Sequence, residues 1–223
     1  MNYGLTNLGN TCYMNSIIQC IFHTGILSTE NDDFIQNCIK TENRNDFELM
    51  REWFKLNKLL NNESGSESKS VNPIDFYRSF AKKIVKSEYT FVGFDQNDAG
   101  EFIIILFDLL HKCLEYKIKL TIEGEIKNNL DQIAVDSINY WKQFFEKKYS
   151  YLIHSTYSQI LSITNCPKCD YSTQNHDPIQ IITLHMKPEF ETIYDLLTDY
   201  TNLEVLDSDN TWKCDRCLKN VNP

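Results

Sequence analysis

Apolar residues recur at helical spacing along the first two-thirds of the chain and at alternate positions along the rest. Met14, Ile17, Ile18, Ile21 and Phe22 fall at i, i+3, i+4, i+7 and i+8, one face of a helix. This predicts a first helix that starts at Cys12 and fades near Thr24-Gly25, with Asn10 or Thr11 as its N-cap. Leu49, Trp53, Leu56 and Leu60 mark a second helix after Asn45, where Asn45 and Glu48 make a capping-box pattern. Residues 61–70 carry mostly Ser, Asn, Glu and Gly and read as a surface loop. Pro73 opens a third helix, with Asn72 as cap and Ile74, Tyr77, Ala81 and Ile84 on its apolar face. A longer helix begins near Asp95, with Asp95 as cap and Asp98 favouring the dipole. It buries Ala99, Phe102, Ile103, Leu106, Leu109, Leu110 and Cys113. Residues 117–123 alternate and predict a short strand. A further helix carries Ala134, Ile138, Trp141, Phe145 and Tyr149.

From Ser150 the period changes. Ile153, Ser155, Tyr157, Gln159, Leu161 and Ile163 alternate with their neighbours, as in a strand that leads into Cys166-Pro-Lys-Cys169. Residues 178–186 predict a second strand, Thr192-x-x-Asp195 starts a short helix, and 207–210 form a turn. Thr211-Trp-Lys then delivers Cys214 and Cys217. Helices followed by strands, without a repeat, predict an α+β class. The chain divides at the change of period into a helical part, 1–149, and a β-rich part, 150–223.

At 223 residues the chain is long enough for a sizeable core, and 42% hydrophobic with 24% charged residues is a globular composition. A formal net charge of −9 argues against a nucleic-acid partner, because phosphate binding needs clustered Lys and Arg. It is compatible with a basic protein partner. No apolar run is long enough to span a membrane, and no signal peptide is apparent, so no membrane association is expected. Eight cysteines without a secretory signal predict an intracellular, cytoplasmic or nuclear, reducing location.

Four of those cysteines form the pairs Cys166/Cys169 and Cys214/Cys217, separated by 44 residues. Two turn-borne pairs of soft ligands can close a tetrahedral Zn2+ site with no open position, which is a structural metal. Redox-active pairs and a reduced relic of a lost site are the competing readings. Cys20, Cys38 and Cys113 read as packing residues.

Cys12 follows a loop with two glycines and stands in the first turn of the first helix. Unpaired N–H groups and the helix dipole favour a thiolate there. The preceding loop can aim N–H groups and the Asn7 amide at a developing oxyanion. The same pattern fits a buried structural cysteine at a helix start. Asp98 and Glu101, three apart on one helix face, are either a substrate-contacting acidic pair or ordinary charges at a helix N-terminus. None of the five histidines has a local context that tunes it as a base. His23 lies roughly 16 Å along the helix from Cys12 at 1.5 Å per residue.

The run Gly4-Leu-Thr-Asn-Leu-Gly-Asn-Thr-Cys12-Tyr-Met-Asn-Ser resembles the cysteine box of the ubiquitin-specific proteases. Gln96-Asn-Asp-Ala-Gly-Glu-Phe102 is similar to the Gln/Asp/Ala/Glu/Phe motif of that family, and the two Cys-x-x-Cys pairs sit where the family carries its zinc fingers. The resemblance implies a papain-like fold of thumb, palm and fingers and cleavage after the C-terminal glycine of ubiquitin. It makes 1–149 the thumb-like part and 150–223 the fingers of one catalytic domain. It implies Cys12 as nucleophile, Asn7 as oxyanion-stabilising amide, and Asp98 as a contact for the ubiquitin tail. Cys166, Cys169, Cys214 and Cys217 would be the zinc ligands, and ubiquitin or ubiquitinated proteins the partners. The family's catalytic histidine lies beyond the second Cys pair in a Gly-His-Tyr context, with an Asp or Asn further on. The 223 residues contain neither, so the expected palm is incomplete. A non-catalytic ubiquitin-binding or zinc-scaffold protein is the alternative.

Overall fold

A computed structural model of the chain describes residues 3–27, 47–61, 70–85, 95–206 and 210–222. The Asn45 side of the expected capping box, Cys38, and most of the 61–70 loop and the 207–210 turn lie outside them. In chain order the elements are β1 (Gly4–Leu5), α1 (Cys12–Thr24), α2 (Glu48–Leu60), β2 (Ser70–Val71), α3 (Ile74–Ile84), α4 (Ala99–Leu114), α5 (Asn129–Phe145), α6 (Tyr151–Thr156), β3 (Ser158–Asn165), β4 (Ser172–Ile179), α7 (Ile193–Tyr200), β5 (Trp212–Lys213) and β6 (Asn220–Val221). The class is mixed helix and sheet, as the change of period predicts. No described helix is long and apolar enough to cross a membrane.

Two compact units divide the chain. The first comprises residues 1–119 and 145–156, and its core is helical. Met14 and Ile18 of α1, Trp53 of α2, Phe76 of α3 and Phe102, Leu106 and Leu110 of α4 are all but fully buried. The rings form a chain of contacts, Trp53 to Phe76 at 5.7 Å, Phe76 to Phe80 at 6.5 Å, and Phe80 to Phe102 at 5.1 Å. Burying each such side chain contributes about 1.5–3 kcal/mol. Trp53 also donates its indole N–H to the Leu27 carbonyl at 3.1 Å, tying the chain after α1 to α2. The expected faces of α1 and α2 pack on the core; on α4 Phe102, Leu106, Leu109 and Leu110 are buried as expected, Ala99, Ile103 and Cys113 are half-buried, and Ile105, Phe107 and Leu114 are buried in addition. On α3 the buried face is Phe76, Ser79, Phe80 and Ile84, not the Ile74/Tyr77/Ala81 stripe. The larger rings meet Trp53 and Phe102 and set the rotation. Asn72 does serve as expected: its Oδ1 accepts the Ile74 N–H at 3.0 Å.

Two strand expectations fail locally. Residues 117–123 form no strand; the chain is held instead by the Tyr116–Tyr149 bridge and by the Ile118 N–H on the Glu146 carbonyl. Residues 151–156 are the helix α6, because Ser150 Oγ accepts the Ile153 N–H at 3.2 Å and starts it. Tyr149 therefore lies beyond α5, in the bridge, and of the face expected for that helix only Phe145 is buried.

The second unit comprises residues 120–144 and 157–223. β3 and β4 pair antiparallel from Ser158↔Ile179 to Asn165↔Ser172, so the second strand lies earlier than the apolar run 178–186 suggests. β5 and β6 form a second, short hairpin, Trp212↔Val221 and Lys213↔Asn220. α5 is capped by a reciprocal pair: Asn128 Oδ1 accepts the Leu130 and Asp131 N–H groups, and Asp131 Oδ2 accepts those of Lys127 and Asn128. α7 carries the complete capping box of Thr192 and Asp195.

Candidate active site and metal centre

Local hydrogen bonds shape the loop before Cys12. Asn7 Oδ1 accepts from the Gly9 N–H at 3.0 Å, the Thr11 N–H at 3.1 Å and the Thr11 hydroxyl at 3.1 Å. Thr11 Oγ1 in turn accepts the Leu8 N–H at 2.9 Å. The turn so closed needs two consecutive left-handed residues, Gly9 at φ 101° and Asn10 at φ 52°. Glycine and asparagine tolerate that region best, which explains the pair at these positions. Thr11 occupies the N-cap position of α1 but spends its side chain on the loop, so no side chain caps the helix. A helix N-terminus presents backbone N–H groups and the positive end of the dipole to an anion.

Cys12 is the first residue of α1 and is exposed, which removes the reading of a buried structural cysteine. Two polar side chains one and two turns on hold the loop against the helix. Asn15 Nδ2 donates to the Leu5 and Thr6 carbonyls at 3.4 and 3.2 Å, and Gln19 Nε2 donates to the Tyr3 carbonyl at 2.8 Å. Sequence reasoning missed this pair; its signal was a polar stripe at i+3 and i+7 from Cys12 on an otherwise apolar helix. Below it β1 pairs parallel with β2, and the Thr6 N–H reaches the Val71 carbonyl at 2.9 Å.

Asp98, not Asp95, is the N-cap of α4: its Oδ1 accepts the Glu101 N–H at 2.9 Å while the residue stays exposed. A Cβ at Gly100 would stand 3.0 Å from that oxygen, so glycine leaves the capping carboxylate its room. Cys12, Asn7 and Asp98 all belong to the first unit.

The three histidines of that unit are engaged elsewhere, and none hydrogen-bonds to Cys12. His23 is exposed at the end of α1, against Phe22. His154 Nδ1 is 3.3 Å from the Tyr149 hydroxyl. His111 is not the surface residue expected: its Nδ1 lies 2.8 Å from the buried Ser150 hydroxyl and its Nε2 3.8 Å from Glu115. Burial is the main cause that lowers its pKa below the ordinary 6.5. In the second unit His185 is exposed and His176 is buried against Tyr140, ring centroids 5.3 Å apart. Of the cysteines expected to be inert, Cys113 is: its thiol reaches the Leu109 carbonyl, and burial pushes it up to about 11. Cys20 is exposed instead.

The candidate metal centre, a cluster of four thiols, lies where the two hairpins of the second unit meet. The tips 166–171 and 214–219 have equal length and the same closing bond, the Cys166 N–H on the Tyr171 carbonyl and the Cys214 N–H on the Lys219 carbonyl. Each tip presents two thiols. The four Sγ atoms lie within 4.8 Å of one another, with Cys166–Cys217 at 3.9 Å and Cys169–Cys214 at 3.7 Å. A tetrahedron with Zn–S near 2.3 Å has edges of about 3.8 Å, so the donor set fits that ion in both chemistry and spacing. Burial raises the Cys166 thiol, but N–H groups and neighbouring thiols outweigh it and bring it down to about 7. Tyr171 and Trp212 stack beside the cluster with rings 5° from parallel.

Comparison with known proteins agrees with this layout. The sequence model of the family described as ubiquitin carboxyl-terminal hydrolase matches residues 3–213. Ubiquitin carboxyl-terminal hydrolase 2 of Bos taurus is 31% identical over 96% of this chain and 35% of its own length. The Gallus gallus protein of the same name is 33% identical over 96% of this chain and 59% of its own length. Ubiquitin carboxyl-terminal hydrolase 4 of Saccharomyces cerevisiae is 27% identical over 97% of this chain and 24% of its own length. The chain thus spans about a quarter to six-tenths of these relatives. Among solved structures, a SAGA Ubp8/Sgf11/Sus1/Sgf73 DUB module bound to ubiquitin aldehyde shares the fold, with a TM-score of 0.63, 21% identity, and coverage of 99% of this chain and 42% of that one. A helical unit opening on an exposed cysteine, a paired-hairpin thiol cluster and a match from residue 3 to residue 213 lead to one conclusion: the chain belongs to the ubiquitin carboxyl-terminal hydrolase family, in its ubiquitin-specific protease branch.

Proposed function

We propose that this chain is the nucleophile-bearing part of a cysteine deubiquitinase that cleaves after the C-terminal glycine of ubiquitin. The observation that carries the reading is the exposed Cys12 thiol at the start of a helix whose N-terminus no side chain caps. Its thiolate attacks the glycine carbonyl carbon; a C–S bond forms and the electron pair moves to the carbonyl oxygen. The Asn7 amide and N–H groups of the first turn stabilise that oxyanion. Asn7 Oδ1 is committed to Gly9 and Thr11, which orients the amide and leaves its donor side for this task. When the tetrahedral species collapses, the lysine amine leaves with a proton from a histidine, and water later hydrolyses the thioester. None of the three histidines in the Cys12 unit hydrogen-bonds to Cys12, so this role falls to a histidine outside that unit. Asp98, exposed at the head of α4, contacts the ubiquitin tail. The four cysteines hold structural Zn2+, which cross-links the two hairpins and takes no part in the reaction. Both units serve one catalytic domain.

The engaged histidines favour a second reading, a protein that binds ubiquitin or scaffolds zinc without turnover. Incubation with ubiquitin bearing a C-terminal electrophile separates the two. The deubiquitinase reading expects a one-to-one covalent adduct with the zinc-loaded chain that Cys12→Ala abolishes. Reversible ubiquitin binding without an adduct would establish the second reading instead.

A further inference from the structure

Tyr13 links the two segments that carry Cys12 and Asp98. It follows Cys12 in the first turn of α1, and its ring is buried edge-on against Phe102 of α4 at 5.6 Å. Its hydroxyl lies 3.3 Å from the Asn97 Nδ2 donor, across 84 residues of sequence. Asn97 is itself fixed, its Nδ2 also donating to the Asp95 carbonyl at 2.9 Å. One side chain therefore touches the α4 region at two points, one residue before the Asp98 cap and one turn after it. Burial, chiefly, raises the Tyr13 hydroxyl pKa, and the Asn97 bond opposes it, which accords with Asn97 as donor.

We infer that Tyr13 and Asn97 are positioning residues that set the register between the nucleophile and the segment receiving the ubiquitin tail. The inference rests on the deubiquitinase reading above. Attack requires the thiolate and the scissile carbonyl to meet within a few tenths of an ångström, and the tail bound at Asp98 delivers that carbonyl. A small reagent that needs no tail contact is indifferent to this register. A change in it therefore shows in the reaction with ubiquitin and not in simple alkylation.

The test measures the second-order rate of adduct formation with ubiquitin bearing a C-terminal electrophile, the rate of Cys12 alkylation by iodoacetamide, and the melting temperature. Tyr13→Phe keeps the ring on Phe102 and removes only the hydroxyl; Asn97→Ala removes the donor. Each variant should lower the ubiquitin rate about threefold to tenfold, the scale of one neutral hydrogen bond. The double variant should lose no more than Asn97→Ala alone, since the Tyr13–Asn97 bond is already gone there. Alkylation and melting should stay near wild type. An unchanged ubiquitin rate in Tyr13→Phe, additive losses in the double variant, or parallel losses in all three readouts would overturn the positioning role. If the wild type itself forms no adduct, the deubiquitinase reading fails and takes this inference with it.

Discussion

At position 98 a carboxylate caps α4 through Oδ1 and remains exposed, so the helix and the proposed ubiquitin contact draw on the same group. Asparagine keeps the capping oxygen and removes the charge; alanine removes both. Asp98→Asn should change the unfolding free energy by less than about 0.5 kcal/mol, whereas Asp98→Ala should cost about 1 kcal/mol. Both should weaken ubiquitin binding. Denaturant melts and a ubiquitin titration check the pair, and equal stability losses would refute the capping role. His111 makes a second prediction at this scale. Ser150 Oγ accepts from Ile153 and lies 2.8 Å from His111 Nδ1, where a neutral imidazole can accept its proton. Burial favours that neutral form; Lys148 and Lys112 reinforce it, and Glu115 and Asp108 oppose it. The folded-state pKa is depressed, so below about 6.5 the unfolded chain binds more protons than the folded one. Stability from this site is complete above that pH and falls as pH drops towards the folded value. The acid-side decline in melting temperature should be shallower in His111→Gln than in the wild type. Identical slopes would show that the buried imidazole does not titrate with unfolding. The sequence hid this arrangement, because a histidine thirteen residues into an amphipathic helix looks like a surface position until Ser150 is brought against it.

Among the elements, those with a single unambiguous apolar stripe were legible. Met14/Ile18/Ile21 and Leu49/Trp53/Leu56/Leu60 pack as their spacing requires. On α3 the Ile74/Tyr77/Ala81 stripe misled, because Phe76 and Phe80 meet Trp53 and Phe102 and turn their face to the core. Alternation misled twice. Residues 117–123 alternate but pair with no strand among the described residues, and 153–155 alternate but follow a serine that starts a helix. The grouping of the four cysteines was fully legible as a set, because Cys-x-x-Cys at a strand end is both a turn and a pair of potential ligands. Metal binding at such a site is folding free energy. Chelation, or replacement of the wholly buried Cys214 by serine, should abolish zinc retention and unstack Trp212 from Tyr171. The helical core around Trp53 should persist. Circular dichroism and tryptophan emission with metal analysis check this; a folded, reduced chain that contains no zinc would contradict the assignment. Trp53→Ala, by contrast, should cost about 3–5 kcal/mol and unfold the first unit.

For the molecule as a whole, the α+β class and the family were readable from three motifs in order: the cysteine box, the 96–102 segment and the paired thiols. What held the site together was not readable. Asn15 and Gln19 left only a polar stripe on α1, and Tyr13 acts through a contact 84 residues away that no local pattern announces. The histidine inventory bears on turnover. General acid–base assistance typically contributes about 10²–10⁴-fold, and an amide's leaving amine must be protonated. The 223 residues alone should therefore hydrolyse ubiquitin conjugates poorly while remaining open to attack at the thiol. Robust multiple turnover, lost in Cys12→Ala, would show that one of the five histidines serves as base.

Peptide mapping of the zinc-loaded chain after reaction with ubiquitin carrying a C-terminal electrophile decides whether Cys12 is the nucleophile. One ubiquitin per chain is expected, attached at Cys12, with Cys20 and Cys113 unmodified. No adduct, or an adduct on the exposed Cys20 that survives Cys12→Ala, would contradict it.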